Sequence, residues 1–373
     1  MAAAMRRQPV ARVPVMCQLA LGHYFLHSGH DPIDVWHDSE VFVDALLLLQ
    51  QRYGFDGILI NLPGRDPDWR QAIERIERHG AEQHIIWRSG QVTVVPPDDN
   101  PHVYEAEQEA RTPPEFAGLD PAALYYVEPY DNVGLVCHHA GFPPWQYRTI
   151  QRARERAPDV SVHGEVFSPF SQLLELLDYT AALMALLDEP ARVTECLHAL
   201  ARGTIDLMCG QAEAGVDAIC ISSAFAGAGF ISPRHYREFV LPSERFVIGE
   251  FHGRYPEVPV YTHTCGAIGD RLEMMADTGT NGIDTLDPPP LGDVDLADAK
   301  RRIGDRLFIK GNIDPVNTLL LGTPEQVRAA AATCIRTAAR GGAYILSSAC
   351  SVAPHTSPEN ILQLRQAADE ASA

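Results

Sequence analysis

The chain has 373 residues, 46% hydrophobic and 21% charged, an ordinary globular composition with room for one large α/β domain. A formal charge of −19 and a pI near 5.1 argue against nucleic acid or an anionic membrane surface as the main partner. No run approaches the ~20 continuous apolar residues of a membrane span, and Met1 to Arg12 lacks the apolar stretch of a signal peptide.

Short β-branched runs alternate with longer helical patterns along the chain, the mark of a parallel sheet. After an N-terminal extension, Val13–Cys17 is the first predicted strand. A helix over Ser39–Tyr53 follows and stops at Gly54, and Gly57–Asn61 is the second strand. Ile85–Trp87 with Val92–Val95 suggests a small hairpin. Residues 96–144, from Pro96 to Pro144, are rich in Pro, Asp and Glu with little periodicity. They read as a long insertion near the barrel mouth, with a weaker strand at Val133–His138. Strands at Val160–Val166, Ala218–Ser222, Val258–His263, Gly282–Leu286, Leu307–Gly311 and Ala343–Ser348 bring the set to eight. Helices fall between them, at Ser171–Leu187 and Ala191–Ala214 among others. Thr323-Pro324-Glu325-Gln326 is a capping sequence for a helix running to Arg340, and a last helix starts near Ser357. The pattern predicts a (β/α)8 TIM barrel in a single domain, a fold that needs only about 250 residues.

Eight thinly spread cysteines do not form a disulfide framework and fit a reducing cytoplasm. Cys17, Cys196, Cys209, Cys220 and Cys334 lie within helical or strand patterns and read as small buried apolar residues. His263 and Cys265 are different, because they close a strand-like run and stand one residue apart. Cys350, at the end of another such run, is a third candidate ligand. One imidazole and two thiolates suit Zn2+, and three protein ligands leave a place for a reactant. Both sets belong at the carboxyl ends of strands, where α/β barrels place their chemistry.

Other candidates are less defined. Glu165 ends a predicted strand, where it can protonate a leaving group, support the metal from behind, or simply pair with an arginine. Asn61, Ser222 and Asn312 end or follow strands and are candidate substrate-binding groups. His23, which shares a helical face with His27, is another. Cys137-His138-His139 reads as loop lining, and His355 as a surface residue after Pro354.

From His263 to Asn360 the chain resembles the uroporphyrinogen decarboxylase superfamily. The resemblance rests on His263-Thr264-Cys265-Gly266, Leu286-Asp287-Pro288-Pro289, Lys310-Gly311-Asn312-Ile313-Asp314-Pro315, Gly322-Thr323-Pro324-Glu325 and Pro358-Glu359-Asn360. Gly229-Phe230-Ile231-Ser232-Pro233 and Phe55-Asp56-Gly57 extend it upstream. Decarboxylases of this kind carry Arg-Gln-Ala-Gly-Arg-Tyr and Phe-Ser-Asp elements. Here those places read Cys17-Gln18-Leu19-Ala20-Leu21-Gly22-His23-Tyr24, without arginine, and Ile60-Asn61-Leu62-Pro63, without the acid.

The corrinoid-linked methyltransferases of the same superfamily, of the methylcobamide:coenzyme M and O-demethylase type, carry a His-x-Cys…Cys zinc signature. His263, Cys265 and Cys350 match it. The resemblance therefore implies a zinc enzyme moving a methyl group between a small methylated substrate, such as a methoxylated compound, and corrinoid cobalt. The chain has no Asp-x-His-x-x-Gly, so the corrinoid (cobalamin) is expected on a partner protein. Alternatives are a methylcobamide:thiol methyltransferase with a thiol acceptor, a decarboxylase, or a non-catalytic tetrapyrrole-binding protein. A homodimer is left open.

Overall fold

The parallel sheet forms where the β-branched runs place it. The computed structural model describes residues 1–104, 114–128 and 136–372. Strand β1 (Gly57–Ile60) is followed by a four-stranded antiparallel sheet of β2 (Ile73–His79), β3 (Glu82–Trp87), β4 (Val92–Val95) and β5 (His102–Tyr104). A two-stranded ribbon, β6 (Tyr126–Glu128) with β7 (Val136–His138), comes next. The remaining barrel strands are β8 (Ser161–Phe167), β9 (Ala218–Ser222), β10 (Val260–Thr264), β11 (Gly282–Thr285), β12 (Phe308–Ile313) and β13 (Tyr344–Ser348). With β1 they make one parallel sheet in the order β1-β8-β9-β10-β11-β12-β13. Every residue of β9 to β13 is buried, because helices cover one face and the barrel interior the other.

The eighth predicted strand, Val13–Cys17, takes the closing position in a less regular form. Val15 bridges Leu346 of β13, and on the other edge the Asp56 N–H donates to Val15 O at 2.8 Å. Pro14 has no N–H to give, which keeps the ladder short, though its carbonyl still accepts from Leu346 N–H at 2.8 Å. The Asp56 carboxylate secures the seam by accepting from Val15 N–H at 2.8 Å and from Arg12 at 3.1 Å. Below the sheet the helix Ala2–Met5 plugs the barrel. Its Ala4 and Met5 join Met16, Leu59, Cys220, Tyr261 and Phe308 in an apolar interior layer.

Two sequence expectations need correction. The expected hairpin is the central β3–β4 pair of a larger, four-stranded sheet. No residue of β2 is buried and charge falls on both its faces, so it shows no apolar alternation. Residues 105–113 and 129–135, including the start of the weak strand at Val133–His138, lie outside the described residues. The helix expected over Ser171–Leu187 is two, Pro169–Leu176 and Tyr179–Asp188. Asp178 caps the second by accepting from Ala181 N–H at 2.8 Å, which favours a fresh start there. The capping box at Thr323 and Gln326 forms as expected. No single described helix is long and apolar enough to cross a membrane.

Inside the barrel His163 is fully buried between Ser161 Oγ at 3.0 Å and Tyr261 OH at 3.1 Å. Burial first, and then the Lys310 charge, push its pKa down to about 3. His23 is pushed down to about 4 by burial and by His27. The unfolded chain binds protons at both sites near pH 6.5 while the folded chain does not. Stability is therefore full above that pH and falls as pH drops towards these depressed values, at up to about 1.4 kcal/mol per pH unit per histidine. Denaturant titrations at pH 7.5 and 5 are expected to show this loss, and His163→Asn is expected to make it shallower.

Candidate metal centre

The carboxyl end of β10 carries His263, and Cys265 follows immediately. Cys350 lies two residues beyond β13, and its loop is anchored by Ala349 N–H to Ile313 O at 2.7 Å and Val352 N–H to Gln18 O at 2.8 Å. β10 and β13 are three places apart in the sheet, so their side chains meet because the sheet curls into a barrel. The ligand atoms of the three residues all lie within 4.8 Å of one another, the one such group among the described residues. Cys265 Sγ is 3.4 Å from His263 Nε2 and 3.8 Å from Cys350 Sγ. All eight cysteines are free thiols. His263 is buried, whereas Cys265 and Cys350 are half-buried, as ligands facing an entrance must be.

Register explains why the imidazole is aimed so well. His263 lies opposite Asp284 on β11, and Asp284 lies opposite Lys310 on β12. Asp284 Oδ2 accepts from His263 Nδ1 at 3.1 Å, while Lys310 Nζ donates to Asp284 Oδ1 at 2.9 Å. Asp284 and Lys310 are each 2% exposed. Burial opposes charge on Asp284, but Lys310 and His263 outweigh it and hold its pKa down at about 2. A carboxylate on Nδ1 fixes the tautomer and turns Nε2 towards the sulfurs, as in carboxylate–histidine–metal arrangements.

The cluster is already poised for a dication. Cys350 is pulled well below the usual thiol range, first by the hydrogen bond from Cys265 and against its burial. Cys265, as the donor to Cys350 and buried itself, is pushed up. Burial works against a charged His263, yet the Cys265 sulfur and Asp284 raise its pKa well above the ordinary value. Two sulfurs thus share a negative charge, and a bound metal displaces the remaining protons. The donor set of one imidazole and two thiolates, with its carboxylate behind, fits zinc.

Beside it stands Asp287, which accepts from Gly266 N–H at 2.7 Å. Gly266 has φ +77°, a conformation glycine adopts freely. The turn leading to Asp287 is strained. Thr285 and Leu286 have φ of 77° and 58°, and Thr285 Oγ1 pins the turn by donating to Thr264 O at 2.6 Å. Asp287 Oδ1 is buried without a partner among the described residues. Burial, with the nearby Cys350 charge, raises its pKa to about 6.

The remaining expected residues divide. Ser222 is opposite His263 on β9 and 6% exposed, so it borders the centre. Glu165 is opposite Cys220, one pleat deeper and two strands away, and shares a separate cavity with Asn61. Register therefore keeps Glu165 away from the candidate ligands, where the catalytic reading would put it. Asn312 ties strand ends together, donating to Leu286 O at 2.9 Å, and is not available to a substrate through that amide. His23 is wholly buried with Tyr53 OH at 2.7 Å and Pro354 O at 3.0 Å on its two nitrogens, which leaves neither for substrate. His355 pairs with Asp98 at the surface, at 2.7 Å. His139 bonds Ala123 O at 3.2 Å in the ribbon region, outside the cluster. Asp284 and Lys310 were missed, although opposite charges in the middle of two apolar runs are themselves a signal of a buried pair.

Fold and site together define an α/β barrel with one imidazole and two cysteine sulfurs gathered at its mouth. Residues 119–371 match the family model described as uroporphyrinogen decarboxylase (URO-D), and the chain belongs to that family. Curated relatives include uroporphyrinogen decarboxylases of Chlorobium luteolum, 28% identical over 99% of this chain and 97% of theirs, and of Legionella pneumophila, 24% identical over 99% and 96%. A solved methyltransferase from Methanosarcina mazei superposes with a TM-score of 0.75 over 100% of this chain and 98% of its own, at 21% identity, which shows the shared fold.

Replacing Asp284 with Asn is expected to weaken zinc affinity about 10- to 100-fold while the fold persists, measured by competition with a chromogenic chelator. Lys310→Met removes one partner of a buried ion pair, and is expected to cost about 3–5 kcal/mol in denaturant unfolding.

Proposed function

We propose that this protein is a zinc-dependent methyltransferase of the reducing cytoplasm. It moves a methyl group between a small methylated substrate, such as a methoxylated compound, and the cobalt of a corrinoid carried by a partner protein. The observation that carries the reading is the convergence of His263 Nε2, Cys265 Sγ and Cys350 Sγ at the barrel mouth. A purely binding protein has no need of two thiolates there.

Zinc bound by these residues supplies Lewis acidity, which holds a thiol as thiolate or makes an ether oxygen a better leaving group. The chain's own residues do the rest. His263, Cys265 and Cys350 hold three positions and leave one to a reactant. Asp284 and Lys310 keep the imidazole in one orientation through turnover. The apolar layer that includes Tyr261, with the helix Ala2–Met5, fills the barrel below, so reactants approach from the mouth.

The relatives' shared name favours a second reading, decarboxylation of a porphyrinogen. Against it stand the missing arginines in the stretch from Cys17 to Tyr24 and Asn61 in place of an acid. Methylation of a free thiol by methylcobamide uses the same centre in the other direction.

Cys265→Ser and Cys350→Ser are each expected to lower zinc below one equivalent. They should cut methyl transfer by more than the about 10- to 100-fold typical of outer-sphere changes. The assay mixes enzyme, reduced corrinoid protein and methoxylated aromatics, and follows the methyl-cobalt spectrum. Thiol methylation from methylcobalamin would instead favour the thiol reading. Zinc-free protein, or variants that transfer methyl groups at the wild-type rate, would sink the proposal, and turnover of uroporphyrinogen would establish the second reading.

A further inference from the structure

The antiparallel sheet that follows β1 has a long open edge. β2 pairs with β3 on one side, and no other described strand pairs with its outer side. The two strands are joined by the two-residue turn Gly80-Ala81, which His79 and Glu82 flank. Residues flanking such a turn bond to each other, and bonded and non-bonded pairs then alternate along the ladder. Ile76 and Arg78, opposite Ile85 and Gln83, therefore fall on non-bonded pairs and turn their N–H and C=O outwards. Among the described residues no loop or side chain bonds these outward groups. None of the seven residues of β2 is buried, and Ile76 is 43% exposed. An open edge of this kind is a template for a further strand.

The order of residues in β2, Ile73-Glu74-Arg75-Ile76-Glu77-Arg78-His79, is complementary to itself about the middle position. When two copies lie antiparallel with Ile76 against Ile76, Arg75 faces Glu77 and Glu74 faces Arg78, each pair occurring twice. A slip of one residue sets Glu74 against Glu77 in one direction and Arg75 against Arg78 in the other. A slip of two sets Arg75 against Arg75, or Glu77 against Glu77. Opposite charges directly across a strand pair are favourable and like charges are not, so a single register is selected. In that register the outward N–H and C=O of the two Ile76 residues exchange bonds, and their exposed side chains cover each other. Within one chain Arg75 donates to Glu77 at 2.7 Å and to Glu74 at 2.6 Å, while Arg78 has no ion partner among the described residues. A second copy supplies one. Residues 75–79 pair regularly with β3, and the register shift between Ile73 and Arg75 touches only the outer Glu74–Arg78 pairs.

We infer that the outer edge of β2 is the interface of a homodimer, in which two β2 strands pair antiparallel about Ile76 and join the two four-stranded sheets into one. The contact is the same patch on both copies, as a two-fold axis requires. A single strand pair buries less than the about 1,200–2,000 Å² of a standard interface, so the dimer is concentration-dependent. The inference is independent of the reaction at the barrel mouth, since β2 carries none of the residues of that centre.

The test is sedimentation of the zinc-loaded full chain from about 1 to about 100 μM, where weak interfaces associate. The mass is expected to rise from 41.0 kDa towards twice that value. Arg75→Glu and Glu77→Arg each set like charges face to face, and each is expected to weaken dimerisation about tenfold or more. The double change restores opposite charges in both central pairs and is expected to restore the dimer. Ile76→Pro removes an outward N–H that β3 does not use, and is expected to abolish dimerisation. If that proline change unfolds the chain, the charge variants at exposed positions still decide. A monomer at every concentration, a dimer that all the folded single variants leave intact, or a double variant that fails to restore it overturns the inference.

Discussion

A row of three ionisable side chains on neighbouring strands, Lys310, Asp284 and His263, holds the mouth of this barrel in order. Hydrogen-bonding register sets them side by side, and bonds of 2.9 and 3.1 Å run along the row. A buried ion pair of this kind is weak evidence for stability, since desolvation offsets much of the attraction. Its use is geometric. A lone buried histidine can turn about two bonds, whereas one held by a charged carboxylate presents a single nitrogen in a single direction. The two thiols then have a fixed partner to meet.

The barrel interior is layered to suit that row. The lowest layer is apolar and is closed by the helix Ala2–Met5 with Met16, Leu59 and Phe308. His163 and Tyr261 bond to each other at 3.1 Å where the apolar floor gives way to charge. Above them the charged row makes its own hydrogen bonds, and the half-buried sulfurs of Cys265 and Cys350 come last. Polarity thus rises towards the carboxyl ends of the strands. The strained turn at Thr285 and Leu286 lies at that end too, where backbone strain most often accompanies function. The family's barrel supplies this frame, and the side chains at the rim decide the chemistry.

Much of this was legible from residue order. Strands buried on both faces read as β-branched runs, and all eight positions of the barrel were recoverable from them. His263-x-Cys265 stood out because Cys350, at the end of a similar run, offered a third soft ligand, and the three side chains do converge in the fold. Asp284 and Lys310 could not be paired from sequence alone, because their contact depends on cross-strand register between β11 and β12. His23 misled for a related reason, since Tyr53 and Pro354 reach it from distant parts of the chain. Glu165 was expected at a strand end, but β8 runs on to Phe167 and register puts Glu165 a pleat below His263. The antiparallel sheet after β1 escaped because no residue of β2 is buried and charge falls on both its faces, which leaves no period of two.

X-ray absorption at the zinc edge of the purified protein tests the central claim most directly. The account predicts one zinc per chain with two sulfurs at about 2.3 Å, one imidazole nitrogen at about 2.0–2.1 Å and one exchangeable light-atom ligand. Four sulfur neighbours, all-oxygen coordination, or a spectrum unchanged by Cys350→Ser would contradict it.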